Sequence, residues 1–464
     1  MPDIARIRAE AEEADCIFPE MNGIIQLFQI SLNQEGDIAP PVPERRKLKL
    51  QHMFGGSRAA ELLLGGIKYA LSYEVLFASL AFVFMSFLLQ STSVLQGMLK
   101  IFNRLFRKMK GGPAYVNTAI SSFLGMLSGG NTPNAATSGA FTAQWLLSTG
   151  WKREQAATLI AANGGLGAGF PPSSSLFIVL AFPTVAGAVS EGQLYIALFL
   201  TGIYQVIWRV VYIHYIIRKN HIVLPETVTD EPWSSVMKTA GKNLLLFLGA
   251  IIPVALNMGP LSDLIAGRSE VWKAAVDSIN ILVWIPILMI AIILALGWKD
   301  IREKFHFREQ FVEELIPHFS STGGLLIFVF AASNIISKLG LSEDIVQILN
   351  SMSLSKVATV VIILILVAVV AGPLSSTATL TSIGVISHAI LVSVGIDPLA
   401  AATAILVVAS TEGASPPASG ALFVACGLTE CDPPKIFMPL IKWFVLPITC
   451  IAVLVCLGIL PLPR

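Results

Sequence analysis

Long stretches without one Lys, Arg, Asp or Glu alternate along the chain with short charged connections. The charge-free windows are 75–99, 111–150, 156–190, 192–208, 243–262, 278–298, 319–337, 357–396 and 443–463. A further apolar segment runs from Pro398 and is interrupted only by Glu412. A membrane-crossing helix needs about 20 apolar residues, so the pattern predicts an all-α polytopic membrane protein. Basic residues sit at 100–110, 152–153, 218–219 and 299–304, which assigns those connections to the cytoplasmic face.

Two windows are twice the length of one crossing. Residues 111–150 and 357–396 are each 40 residues long. Each breaks in the middle into small polar residues: Ser128, Gly129, Gly130, Asn131, Thr132, Pro133 and Asn134 in the first, Gly372, Pro373, Leu374, Ser375, Ser376 and Thr377 in the second. A limb of the first window is about 22 Å of helix, short of the ~30 Å hydrocarbon core. The pattern therefore predicts a re-entrant helical hairpin with its tip inside the membrane. Two ordinary helices joined by a polar loop are the alternative. Basic flanks on both sides of the first window (Arg107, Lys108, Lys110; Lys152, Arg153) place both its ends on one face. The second window is flanked by Glu343, Asp344, Lys356 and Asp397, which predicts entry from the opposite face.

The segments after the two windows repeat each other. Gly150 and Gly395 start them, and Pro171-Pro172 and Pro416-Pro417 follow 21 residues later in both, at a common offset of 245 residues. Ala-Ala, Gly, Ser and Leu-Phe recur in the same order. Pro-Pro removes two backbone donors and ends regular helix. The freed carbonyls cannot face lipid unsatisfied and must meet protein, water or an ion. Inverted repeats with broken helices at the midplane are a transporter architecture. The expected organisation is a polar, atypical or truncated arm over 1–71, a first repeat over 72–225, connecting helices with an amphipathic segment over 226–318, and a second, inverted repeat over 319–464.

Composition narrows the classes. The chain is 54% hydrophobic and 13% charged, with net charge +1 and mean hydropathy +0.73. So few charges do not cover a soluble protein of this length, and no basic excess points to nucleic acid. The five cysteines are scattered and suggest neither a metal site nor a disulfide framework. No HExxH, Cys-x-x-Cys, Walker A or GxSxG motif stands in a suitable context. The reading is non-enzymatic, without cofactor, and driven by an ion gradient rather than by ATP.

From about Ser72 to the C-terminus the chain resembles the large permease subunit of tripartite ATP-independent periplasmic (TRAP) transporters. The resemblance rests on Lys110 to Asn117, the 127–131 tip, Gly150-Trp151, the Gly169 to Ser173 break, Gly395 to Pro398 and the second Pro-Pro segment. The runs Phe123 to Gly129 and Ser138 to Thr142 are most like the branch in which small and large subunits are fused. The resemblance implies a multi-pass subunit of the bacterial inner membrane, a soluble periplasmic binding protein that delivers an organic acid, a small membrane subunit, and an elevator motion coupled to Na⁺, with H⁺ as the alternative. It also implies a first cation site at Ser128, Gly129, Asn131, Gly169 and Pro171, and a second at Gly372, Ser375, Thr377, Gly413 and Pro416. Gly130, Thr132, Asn134, Ser173, Ser376 and Ser419 would face the substrate. Three departures stand out: a polar arm replaces the usual first helices, the first tip reads Ser-Gly-Gly-Asn, and Glu412 sits where the family pattern is neutral.

A carboxyl group within an apolar segment is a functional candidate, so Glu412 is expected to join the second cation site or to bind a proton. The bland reading is a carboxyl satisfied by nearby hydroxyls. Arg209 is expected to snorkel toward the interface or to pair with an acid, and His388 to be a helix-packing polar group. The competing functions are a stand-alone ion-coupled organic anion symporter or antiporter, and a degenerate, non-transporting homologue.

Overall fold

The computed structural model describes residues 56–463 apart from 129, 223–231, 258–259, 306–307, 340–354 and 418. The polar arm up to residue 55 and the flank at Glu343 and Asp344 lie outside the described residues. Met1–Glu61 and Leu62–Arg464 are separate compact units.

The second unit is helical. Among the described residues five helices are long and apolar enough to cross a membrane: Glu191–Asn220, Trp233–Asn257, Glu309–Ile335, Ser376–Ser393 and Pro434–Cys456. Counting each of two bent pairs as one span raises the number to seven. The window 75–99 is not a single crossing. It divides into helices Glu74–Gln90 and Val94–Phe106, and at the step between them Asp300 accepts hydrogen bonds from the Ser93 amide (2.7 Å) and hydroxyl (2.6 Å).

Both 40-residue windows fold back on themselves. The first forms helices Gly112–Ser128 and Asn131–Ser148, packed side by side. The second forms Lys356–Val370, then Ser376–Thr379, a wider turn over Leu380–Gly384, and Val385–Ser393. A limb of 17 residues spans about 25 Å, still short of the hydrocarbon core. The return limbs end alike. Trp151 N–H reaches back to Leu146 O (3.2 Å) and Ile396 N–H to Leu391 O (3.1 Å), with Gly150 and Gly395 at φ 94° and 80°. This is a Schellman cap, which calls for glycine at the left-handed position.

The predicted helix breaks are present. The first segment runs Arg153–Gly164, Leu166–Gly169, a bent non-helical stretch from Phe170 to Ser173, then Ser174–Leu180. The second runs Pro398–Ala409, a tight turn Ser410–Ala414, then Gly420–Thr429. The Pro171–Pro172 and Pro416–Pro417 bonds are both cis. The halves interlock. Gly420–Thr429 of the second repeat packs on Arg153–Gly164 and Asn131–Ser148 of the first, and Ser174–Leu180 of the first packs on Ser376–Gly384 and Pro398–Ala409 of the second.

Candidate functional site

The two hairpin tips meet at the two breaks. Each first half-helix ends with carbonyls that have no partner within the helix, and its own hairpin supplies one. Asn134 Nδ2 donates to Gly164 O (3.2 Å) and to Ser121 O (3.0 Å), and the Ser376 hydroxyl donates to Ala409 O (2.9 Å). Gly164 and Ala409 are equivalent positions in the repeat.

Equivalent residues also touch each other. Asn131 and Ser376 are 245 residues apart, and Asn131 Nδ2 lies 3.0 Å from Ser376 Oγ. Gly165 and Ser410 stand at the same offset, and a Cβ on Gly165 would lie 2.6 Å from Ser410 O. Contact between equivalent positions is what inverted repeats related by a two-fold would give, whereas a pure translation would hold them apart. Only glycine permits the second approach: a Cβ on Gly413 would lie 2.6 Å from Gly165 N.

Glu412 occupies this junction. It is 8% exposed and accepts a hydrogen bond from Asn131 Nδ2, and Ser376 Oγ lies 3.3 Å from it, its one proton shared between Glu412 and Ala409 O. The carboxyl group of the second break therefore holds the first residue of both hairpin return limbs. The bland reading of Glu412 is right about hydroxyl contact with Ser376, and it misses the amide from the other repeat.

The remaining residues singled out in the sequence are spread over both tips and both breaks. Asn131 Oδ1 accepts from Ala168 N (3.0 Å), and Gly130 O lies against Gly167, so the first tip rests on the first break. Gly169 ends the short helix beside the Gln205 amide and the Ser410 hydroxyl. Pro171 is buried, and Ser128 closes the first limb. Gly129 lies outside the described residues. Gly372 packs on Pro416 O, which joins the second tip to the second break. Ser375 Oγ caps the Ala378 amide (3.1 Å), and Thr377 is half-buried. Thr132 packs against Gly420.

Ser173 and Ser419 have matching tasks. Ser173 Oγ donates to Ala168 O (3.1 Å) and caps Leu176 N (3.3 Å). Ser419 Oγ donates to Gly413 O (3.2 Å) and caps Leu422 N (3.4 Å). Each serine ties the two halves of its broken helix together.

Arg209 departs from expectation. It is 1% exposed and neither snorkels nor pairs with an acid. It donates to Asn163 Oδ1 (3.0 Å), Gln205 O (3.1 Å) and Ala162 O (2.7 Å). Asn163 passes the network to Asn117 (2.6 Å), and Asn117 to Thr142 (2.8 Å), so both limbs of the first hairpin are bound to helix Glu191–Asn220. The carbonyl end of Arg153–Gly164 favours a cation beside it, which is how the guanidinium is accommodated. His388 is a packing group as expected: its ring bonds Thr184 Oγ1 (2.7 Å) and Pro398 O (3.0 Å).

Sequence reasoning missed Gln205. It is fully buried, and neither its Oε1 nor its Nε2 has a hydrogen-bond partner among the described residues. Its place in an apolar helix, one turn before Arg209, was the available signal. Asn134 Oδ1 and Thr379 Oγ1, at equivalent positions one turn beyond each tip, are likewise fully buried and unpartnered among the described residues.

Two hairpins that face two broken helices are an architecture found in membrane transporters. The profile of the tripartite ATP-independent periplasmic transporter family, DctM component, matches residues 38–461. The chain belongs to that family. No curated protein matches it. Its fold is similar to that of the Alcanivorax borkumensis YdaH transporter, whose crystal structure is described as having an unusual topology. The TM-score is 0.60 at 16% identity, over 88% of this chain and 90% of that one.

Proposed function

We propose that this chain is the large permease subunit of an importer that moves an organic acid, handed over by a soluble periplasmic binding protein, across the bacterial inner membrane. A small membrane subunit braces it, and the gradient of a small cation, Na⁺ in the first instance, drives an elevator-type movement. Family membership supports the class of protein. The observation that supports the coupling is the meeting of each tip with its own break; one turn beyond the tips, Asn134 Oδ1 and Thr379 Oγ1 are buried without a hydrogen-bond partner among the described residues. Hard cations take carbonyl, amide and hydroxyl oxygens, and unpartnered oxygens inside a membrane protein are costly unless something binds them.

The first cation would sit among Ser128, Gly129, Asn131, Gly169 and Pro171, and the second among Gly372, Ser375, Thr377, Glu412, Gly413 and Pro416. Gly130, Thr132 and Ser376 would face the substrate. The experiment is uptake by proteoliposomes that contain this chain and the small subunit, with the binding protein and a labelled organic acid outside. Uptake that needs both the binding protein and an inward Na⁺ gradient is expected. Uptake without the binding protein favours a stand-alone symporter, and indifference to Na⁺ removes the cation assignment.

A further inference from the structure

Helix Ser174–Leu180 ends just before a proline. Pro183 has no N–H to offer the last carbonyls of that helix, and the Val185 amide turns to Phe182 O (2.9 Å). Two hydroxyls from distant parts of the chain supply the donors instead. Tyr73 OH donates to Leu180 O (3.3 Å), and Ser333 Oγ donates to Ala181 O. Counted from the capping serines Ser173 and Ser419, Leu180 corresponds to Cys426 in the second repeat. There the chain serves its own helix end: Cys426 O accepts from the Glu430 and Cys431 amides.

The two hydroxyls come from helices that flank the junction rather than from a hairpin or a break. Tyr73 stands at the start of Glu74–Gln90, and Ser333 lies in Arg308–Leu339. These two helices pack on each other, and both pack on Ser174–Leu180. Rings fill the same contact. Phe330 stands edge-on to Tyr73 (5.2 Å between centroids), and Phe82 tilts over Phe177 (5.7 Å). On its other side the same stretch holds the second hairpin. The Phe182 ring lies against Gly384, and Thr184 Oγ1 bonds the His388 ring (2.7 Å). Residues 180–184 thus join two flanking helices to the return limb of the second hairpin.

We propose that Tyr73 and Ser333 form a latch, in which their hydroxyls hold the carbonyl end of Ser174–Leu180, and the second hairpin with it, against the flanking helices in one of the transporter's two positions, and that both bonds break in every cycle. The inference rests on the transporter reading above and adds the point at which the moving part is held. Donors on side chains release a helix end without unwinding it, which the backbone cap of the second repeat cannot do. Their strength also fits. One such bond within a membrane protein shifts an equilibrium about threefold, so two hold a position about tenfold without locking it.

The test first reads the contact without transport. Ala181 is 7% exposed, and Ala181→Cys puts a thiol inside the contact. The full chain is placed in nanodiscs with its five native cysteines replaced by alanine, and the thiol is labelled with N-ethylmaleimide. Labelling should run about threefold faster when Tyr73→Phe or Ser333→Ala is added, and about tenfold faster with both, because a buried thiol reacts from the open state. Tyr73→Phe keeps the ring against Phe330 and removes only the hydroxyl. The second readout is uptake by proteoliposomes with the partners present. Ala181→Cys with Ser333→Cys, bridged by mercuric ion, should lose uptake and regain it with dithiothreitol, while each single cysteine variant keeps it. Equal labelling rates in the Tyr73 and Ser333 variants, or uptake that continues through the mercury bridge, overturns the latch and leaves the transporter reading standing. A wild type that moves no organic acid with its partners present overturns that reading, and the labelling rates still decide whether the contact opens. Should Ala181→Cys fail to fold, Leu180→Cys, 3% exposed, carries the same labelling test with the same two outcomes.

Discussion

Gly413→Ala offers the sharpest test of how the two halves meet. The added Cβ would stand 2.6 Å from Gly165 N, 2.9 Å from Gly165 Cα and 3.3 Å from Ala161 O, where an ordinary carbon contact lies at about 3.5–4.0 Å. The obstructing atoms are backbone of the opposite half-helix, so no rotamer relieves the overlap and the helix ends must part. Overpacking of this kind costs about 1–3 kcal/mol. Gly427→Ala in helix Gly420–Thr429 is the control, because nothing lies within 4 Å of its Cβ position and the helix gains about 1 kcal/mol of propensity. The assay is the thermal midpoint of the detergent-solubilised chain, followed by loss of the monodisperse chromatographic peak and compared at one heating rate. G413A should melt several degrees below wild type, and G427A at or above it. G165A should resemble G413A, and the double variant should cost less than the sum, since both press on one contact. Equal midpoints for G413A and G427A would refute the close backbone crossing.

Ser173→Ala and Ser419→Ala should each destabilise by about 1 kcal/mol, the worth of an N-cap, and by similar amounts because their bonds match across the repeat. The same thermal assay reads both. Asn163→Leu leaves the Arg209 guanidinium short of one partner and Asn117 short of another. A cost of about 1–3 kcal/mol is expected, with Asn117→Ala in the same background adding little. Gly384→Val should be far worse than Gly427→Ala in yield of folded protein, because a Cβ at Gly384 would lie 2.5 Å from the Phe182 ring while none meets an atom at Gly427.

The hairpins, the breaks and their equivalence were legible because glycine and proline punctuate otherwise uniform apolar sequence. Pro171-Pro172 and Pro416-Pro417 each remove two adjacent backbone donors and break the helix, and Gly150 and Gly395 supply the left-handed turn that ends one. What the sequence could not express is which repeat a side chain serves. Glu412 lies in the second break, just before its Pro-Pro pair, yet it reaches the first tip. Arg209 was legible as a lone charge, but the network it enters through Asn163, and on to Asn117 and Thr142, draws on three other helices. No periodicity sets which polar faces of those helices converge. Ser173 and Ser419 looked like site hydroxyls because they border the Pro-Pro breaks. Each also stands just before an apolar helical run, which is the signature of an N-cap, and the structure uses them so.

The symmetry of the two halves explains where the chemistry has to lie. Under the 245-residue offset Asn131 answers to Ser376 and Gly165 to Ser410, and those pairs are in contact. The position that answers to Glu412 is Gly167, whose Cα packs on Gly130 O so closely that a Cβ would lie 2.5 Å from it. In the first repeat, then, tip and break join through backbone, with no room for a side chain. In the second, the same position carries a carboxylate that meets both tips. A two-fold alone gives a protein whose two faces are interchangeable. One carboxyl group placed off that symmetry makes the two sides of the junction unlike, at the place where both tips meet.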